Sequence, residues 1–229
     1  MQRQPFGGWK RSTVGTTSKA GGPNYLTHLG TWRPRPLRSV PSNVTLSAPV
    51  EAILSAVEGS LGAAEIAGLR AAAASDQVAW SREFGILKDV SGLEVERNVF
   101  RYLPVPVTVR GDGSLSDLVR VVLAATRAGA PITVSSDVPL PDGVAEHVVE
   151  THEGWLDRVR ELHPERVRVT GATGYDVARA VDGDPDVAIY GGAVTQSGRI
   201  ELLPFLREQA IAITAHRFGT PNHLTDHLI

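Results

Sequence analysis

Between Val105 and Tyr190, short β-branched runs alternate with amphipathic stretches, and this alternation restricts the fold more than any other feature of the chain. The first run, Val105-Pro-Val-Thr-Val109, reads as a strand. A helix follows, with Ser114 as N-cap, Asp117 in its first turn, and Leu115, Leu118, Val119, Val122 and Leu123 along one face; Gly129 and Pro131 stop it. The spacing then predicts strands at Ile132-Thr-Val134 and Val148-Val149. Next come a helix carrying Trp155, Leu156, Val159 and Leu162, a strand at Val167-Arg-Val169, a helix over 175–181 and a strand over 187–190. Strands separated by helices favour a parallel sheet covered on both faces, so the expected class is α/β.

Upstream, residues 50–84 are Ala-rich, with Ile53, Leu54, Val57, Leu61, Ile66, Leu69 and Trp80 at mostly helical intervals. Gly59, Gly62 and Gly68 interrupt them, which predicts two or three short helices. Residues 31–49 carry Pro34, Pro36, Pro41 and Pro49 and read as an extended linker. Residues 1–30 hold six glycines and little periodic apolar pattern, as site loops do.

Composition excludes several classes. Twenty-three basic residues face 25 acidic ones without long like-charged blocks, so neither nucleic acid nor an anionic membrane is an expected partner. No run reaches the roughly 20 apolar residues of a membrane span, and the first ten residues have no apolar signal core; the expected location is the cytoplasm. With no cysteine, the chain has no thiol nucleophile, thiolate metal ligand or disulfide.

Two strand-to-helix turns, Arg110-Gly111-Asp-Gly113-Ser and Thr170-Gly171-Ala-Thr-Gly174, raise the question of a dinucleotide site, with Asp137 placed as a ribose-binding acid would be. The third glycine of the full fingerprint is replaced by Ser116, and Asp112 sets a negative charge where phosphate would lie. The plainer reading makes these glycines tight-turn residues and Asp137 a solvated acid, so no cofactor is expected on this chain.

The chain's ends carry a resemblance. Residues 2–29, including Gln4-Pro-Phe-Gly-Gly8 and Lys19-Ala-Gly-Gly-Pro-Asn-Tyr25, resemble the end of the catalytic region of L-glutamate-γ-semialdehyde dehydrogenases. The stretch Ile213-Thr-Ala-His-Arg-Phe-Gly-Thr-Pro-Asn-His-Leu224 is similar to the C-terminal motif of the longer proline utilization A proteins, which join that activity to a proline dehydrogenase. Residues 98–110 look like the entry to the aldehyde-dehydrogenase-like domain between them. The resemblance implies a Rossmann-like parallel sheet with flanking helices, preceded by an extended Gly-rich segment. The implied divisions are 1–30 as the tail of the catalytic region, 31–49 as linker, 50–210 as an aldehyde-dehydrogenase-like domain without cofactor, and 211–229 as a lid.

It also implies that Gly21 and Gly22 anchor the substrate's carboxylate. Consecutive glycines can turn their N–H groups into one anion-binding concavity without side-chain charge. His216, Arg217, Phe218, Gly219, Pro221 and Asn222 would form the lid, turning at Gly219 and Pro221 and sealed by Phe218. His223 and His227 lie four apart and could share a helix face, but two histidines without a third ligand do not make a metal site. His28, His147, His152 and His163 are scattered and point to no site.

In the family a cysteine attacks the aldehyde and NAD takes the hydride, while FAD serves the proline dehydrogenase; none of those parts lies here. A truncated frame, a misplaced start or a cut segment is therefore expected, with the remainder of the aldehyde dehydrogenase domain as partner, glutamate semialdehyde as the intact enzyme's substrate, contacts between copies, and no catalysis by this chain alone. Residues 1–30, separated from the core they pack on, are expected to be poorly ordered. The alternative is a non-catalytic α/β interaction or scaffold module.

Overall fold

A computed structural model describes residues 4–8, 18–33, 35, 43–171 and 174–228. Pro34, Pro36, Pro41, Ala172 and Thr173 lie outside the described residues. In chain order the helices are α1 (Ala48–Val57), α2 (Ala63–Ala79), α3 (Leu115–Ala128), α4 (His152–Leu162), α5 (Gly174–Ala180) and α6 (Gly198–Glu201). The strands are β1 (Lys88–Asp89), β2 (Glu96–Pro104), β3 (Val107–Gly111), β4 (Ile132–Ser136), β5 (His147–Val149), β6 (Arg166–Thr170), β7 (Ala188–Tyr190), β8 (Leu206–Thr214), β9 (His216–Arg217) and β10 (Thr220–Pro221).

Five strands form a sheet in the order β5-β4-β3-β6-β7, every neighbouring pair parallel. Residues on one strand alternate between faces. Val107, Val109 and Val134 therefore pack with α3, α1 and α2 on one side, while Val167 and Val169 pack with Trp155, Val159 and Val177 on the other. Both faces are covered, as the alternation of strands and helices predicts.

The helix after β3 begins and ends where its capping residues dictate. Ser114 accepts the Asp117 amide at 3.2 Å, and Gly129 adopts the left-handed conformation, φ 68°, that a C-cap favours. The two or three helices expected over 50–84 are present, but one of them is not short. Gly59 and Gly62 do fall between α1 and α2, but α2 continues for 17 residues through Gly68, and a π-turn over Trp80–Phe84 ends it. An Ala-rich sequence supplies enough helix propensity to absorb one glycine.

A second sheet is antiparallel, in the order β1-β2-β8. Strand β8 pairs with β2 over nine residues, from Leu206 opposite Pro104 to Thr214 opposite Glu96. It runs without interruption through the expected boundary at 210/211. Among the described residues, no helix is long and apolar enough to cross a membrane.

Candidate functional site

The Lys19–Asn24 loop lies over β8. Lys19 O accepts the Gly22 amide at 2.9 Å, which makes Gly21 the third residue of a β-turn; its φ of 72° is the conformation that position favours glycine for. Gly21 is exposed, and its N–H has no partner among the described residues. Gly22 is half-buried, and its amide is committed to the turn. A β-carbon on Gly22 would stand 2.9 Å from Lys19 O and 3.3 Å from Glu208 Oε2. Gly21 and Gly22 thus form one bend, but the expected concavity of two free amides needs correction, because the Gly22 amide is spent on closing the turn and only Gly21's is left over among the described residues.

Glu208, on β8, holds both ends of this loop. Its Oε2 accepts the Lys19 amide at 2.6 Å and its Oε1 accepts Asn24 Nδ2 at 2.6 Å. Asn24 also donates to the hydroxyl of Tyr102, the residue opposite Glu208 on β2, at 3.0 Å. Tyr102 donates to Glu83, and Glu83 pairs with Arg199 at 2.8 Å. Burial pushes the Glu208 carboxyl above the usual carboxylate range, against the pull of the Lys19 amide and Asn24. Gln4 adds bonds to the Val99 and Ile211 carbonyls at 3.0 and 2.9 Å, and Lys19 Nζ donates to Gly7 O. Gln4, Lys19 and Asn24 thus tie the described part of residues 1–30 to β2 and β8.

Residues 216–222 stand at the opposite end of the same strand. Thr214 lies six positions beyond Glu208, about 20 Å of extended chain, so the structure does not bring the loop and the hairpin together. Strands β9 and β10 pair His216 with Pro221 and Arg217 with Thr220. Phe218 and Gly219 turn between them at φ 51° and 84°, positive at both central positions as tight hairpins require. His216 Nδ1 accepts the Gly219 amide at 3.1 Å, and Ala215 O accepts the Asn222 amide at 2.9 Å. Phe218 is 94% exposed, with the Arg217 guanidinium 5.4 Å from its ring centre. No helix joins His223 to His227: the described turn covers only Asp226–Leu228, and His223 pairs with Asp226 at 2.9 Å. Among the described residues no group of three or more His, Cys, Asp or Glu side chains could hold a metal ion.

The third candidate is the crevice at the carboxyl ends of β3 and β6, where the strand order reverses and open α/β sheets bind ligands. Asp112 projects from the turn where a pyrophosphate would need donors, held by Arg110 at 2.6 Å. A β-carbon on Gly171 would collide with the Asp112 carbonyl, so the two glycine turns touch each other. Asp137 is exposed just past β4. Behind this edge lies a charged layer that periodicity could not reveal. Arg120 forks onto Asp76 with two bonds of 2.7 Å, Arg168 pairs with Glu201 at 2.7 Å, and the Thr195 backbone joins the pairs by giving its amide to Glu201 and accepting from Arg120. These pairs pin the 191–196 loop to α2, α3 and β6, and a cavity of about 490 Å³ lies beside it, lined by Gly68, Ser116 and Gln196 among others.

A proline utilization A protein from Corynebacterium freiburgense is 36% identical to this chain over 96% of its length, with a TM-score of 0.70. This chain is similar to part of a proline utilization A protein. It covers 20% of that relative. A proline utilization A protein from Bdellovibrio bacteriovorus is 16% identical over 65% of the chain and 19% of its own, with a TM-score of 0.42. A succinate-semialdehyde dehydrogenase from Burkholderia pseudomallei is 16% identical over 55% and 30%, with a TM-score of 0.38. Likenesses that slight support nothing further. No family model matches the chain, and no curated protein does. The proline utilization A likeness goes with the α/β fold, a parallel five-stranded sheet flanked by helices.

Proposed function

We propose that this chain is the C-terminal part of a bifunctional proline-catabolising enzyme and that it completes the NAD-dependent oxidation of L-glutamate-γ-semialdehyde to glutamate. The observation that carries this reading is the Lys19–Asn24 bend. Glu208 fixes the loop from below, the Gly22 amide closes the turn on Lys19 O, and the exposed Gly21, on its positive-φ bend, keeps one backbone N–H for a small carboxylate. The proline utilization A likeness over 96% of the chain supports the same substrate class.

In this reading Gly21 and Gly22 shape the carboxylate anchor, and residues 216–222 project Phe218 onto the remainder of the aldehyde dehydrogenase domain. The cysteine nucleophile, NAD and FAD belong to that remainder. This chain's share is positioning, since holding a substrate's remote carboxylate fixes where its aldehyde carbon lies. Alone, the chain is inactive.

The test is reconstitution. The Corynebacterium freiburgense relative, truncated to remove the segment matched here, is mixed with this chain, and semialdehyde-dependent NADH formation is followed. Recovery of activity supports the reading. Stable association without recovery favours a non-catalytic scaffold instead. Calorimetry of this chain with NAD is expected to show no saturable binding.

A further inference from the structure

The two residues that follow Gly22 are held by one closed circuit of polar contacts drawn from three distant elements. Asn24 Nδ2 donates to the Tyr102 hydroxyl of β2 at 3.0 Å, and Tyr102 donates to Glu83 Oε1 in the π-turn at 3.3 Å. Glu83 Oε2 pairs with Arg199 Nε of α6 at 2.8 Å, and Arg199 Nη2 donates back to the Pro23 carbonyl at 3.4 Å. The circuit thus leaves the loop at Asn24 and returns to it at Pro23. The Phe84 ring, its centre 5.2 Å from the guanidinium carbon, supports Arg199 from one side.

Such a circuit removes freedom that the diglycine introduces. Pro23 has its φ set by the pyrrolidine ring, so ψ is its one soft backbone angle, and Arg199 holds the carbonyl that turns with it. The Gly22 amide and carbonyl are already committed, to Lys19 O at 2.9 Å and to the Tyr25 amide at 3.2 Å. Beyond them, Asn24 O accepts the Thr27 amide at 3.0 Å and the Thr27 hydroxyl at 2.6 Å. Glu208 holds Lys19 before the bend and Asn24 after it, but neither bond touches Pro23. That carbonyl belongs to Arg199. The Gly21 N–H, without a partner among the described residues, takes its direction from these neighbours.

We propose that Arg199 is a positioning residue for the substrate carboxylate: acting with Glu83 through the Pro23 carbonyl, it sets the direction in which the Gly21 N–H is presented. The inference rests on the anchor reading given above. A guanidinium suits the task because its planar fork serves Glu83 with one nitrogen and Pro23 with another at once, whereas a lysine ammonium is a single point of charge. Arg199 and Pro23 are 176 residues apart, so α6 takes part in shaping a loop far from it in sequence.

Amide NMR of this chain tests it with L-norvaline, which has the semialdehyde's carbon chain and carboxylate without the aldehyde. Butylamine, the same molecule without its carboxylate, is the control. Norvaline is expected to shift the Gly21 amide, and butylamine to leave it unmoved. In Arg199→Ala the norvaline concentration at half the shift should rise about threefold or more, and hydrogen exchange at Gly22, Tyr25 and Thr27 should quicken roughly three- to tenfold, the scale of one hydrogen bond. Arg199→Lys keeps the charge without the fork and decides the matter should the alanine variant fail to fold. It is expected to match the natural chain in urea unfolding and still to show both changes in the loop. Natural exchange rates with a natural norvaline response, in either variant, overturn the proposal. No shift with norvaline in the natural chain counts instead against the carboxylate anchor, and exchange at the three amides then judges Arg199.

Discussion

Lys19 and Glu208 are 189 residues apart in sequence, yet the Glu208 carboxylate accepts the Lys19 amide hydrogen at 2.6 Å. The same carboxylate accepts Asn24 at 2.6 Å, so one side chain of β8 closes the loop that carries Gly21 and Gly22. Glu208 is only 5% exposed, and removing it leaves two inward donors without acceptors. Glu208→Ala is expected to cost about 2–3 kcal/mol and to free the loop. Limited proteolysis near Lys19 and urea unfolding check both effects; unchanged cleavage would show that the clamp is dispensable.

The two glycines of the bend should respond differently to alanine. Gly21→Ala meets open space and suffers only the strain of its positive φ, about 1 kcal/mol. Gly22→Ala drives a β-carbon to within 2.9 Å of a backbone carbonyl that the turn itself holds in place. It is expected to cost more than Gly21→Ala and to weaken the Glu208 contacts. Denaturation midpoints of the two variants give the order, and a reversed order would contradict the described turn.

How much of this was legible in the sequence depends on how far apart the partners lie. The α3 helix could be read to the residue, because Ser114, Asp117 and Gly129 act on backbone within a few positions of themselves. The parallel sheet followed from local alternation in the same way. Strand β8 was not legible, because its pattern Leu206-Arg-Glu-Gln-Ala puts a charged residue at an inward position, and only β2, more than a hundred residues away, and the Lys19–Asn24 loop make Glu208 acceptable there. His152 looked scattered for the same reason, since Asp112 and Asp176 come from other elements. The diglycine loop was visible through family likeness, and its clamp was not.

The Asp76–Arg120 fork joins α2 to α3 in the interior, with both side chains at most 4% exposed. Removing one partner strands a buried charge, so Asp76→Ala is expected to destabilise the chain by about 3–5 kcal/mol. Replacing both with apolar residues of similar volume, as in Asp76→Leu with Arg120→Met, should recover most of that loss. Thermal unfolding of the single and double variants measures the coupling, and equal losses in both would show that geometry and not charge is at stake.

Acid should weaken the chain through Glu150, just past β5. Burial alone would raise its carboxyl, but bonds from Arg158 and Ser135 and the nearby Arg110 outweigh that and hold it below the usual carboxylate range. A carboxyl depressed in the folded chain contributes stability that is present above its unfolded value of 4.5 and lost as pH falls through the folded one. Stability is therefore expected to decline below about pH 4.5, less steeply in Glu150→Gln. Urea unfolding from pH 3 to 6 tests this, and parallel curves for the two proteins would exclude Glu150 as the source.

Phe218 distinguishes a folding role from a docking role. At 94% exposure it buries almost nothing within the chain, so Phe218→Ala should leave stability within about 0.5 kcal/mol of the natural value. A large aromatic ring held outward on a two-residue hairpin, with positive φ at its own position, is a poor choice for solvent and a good one for insertion into another surface. If residues 216–222 cover the remainder of an aldehyde dehydrogenase domain, the same substitution should weaken association with the truncated Corynebacterium freiburgense relative by roughly tenfold or more, the loss typical of an aromatic anchor. Gly219→Ala, which disturbs the turn without removing the ring, should weaken it less. Titration of the labelled chain against the truncated relative measures both, and identical affinities for the natural and Phe218→Ala chains would leave the hairpin without a docking role.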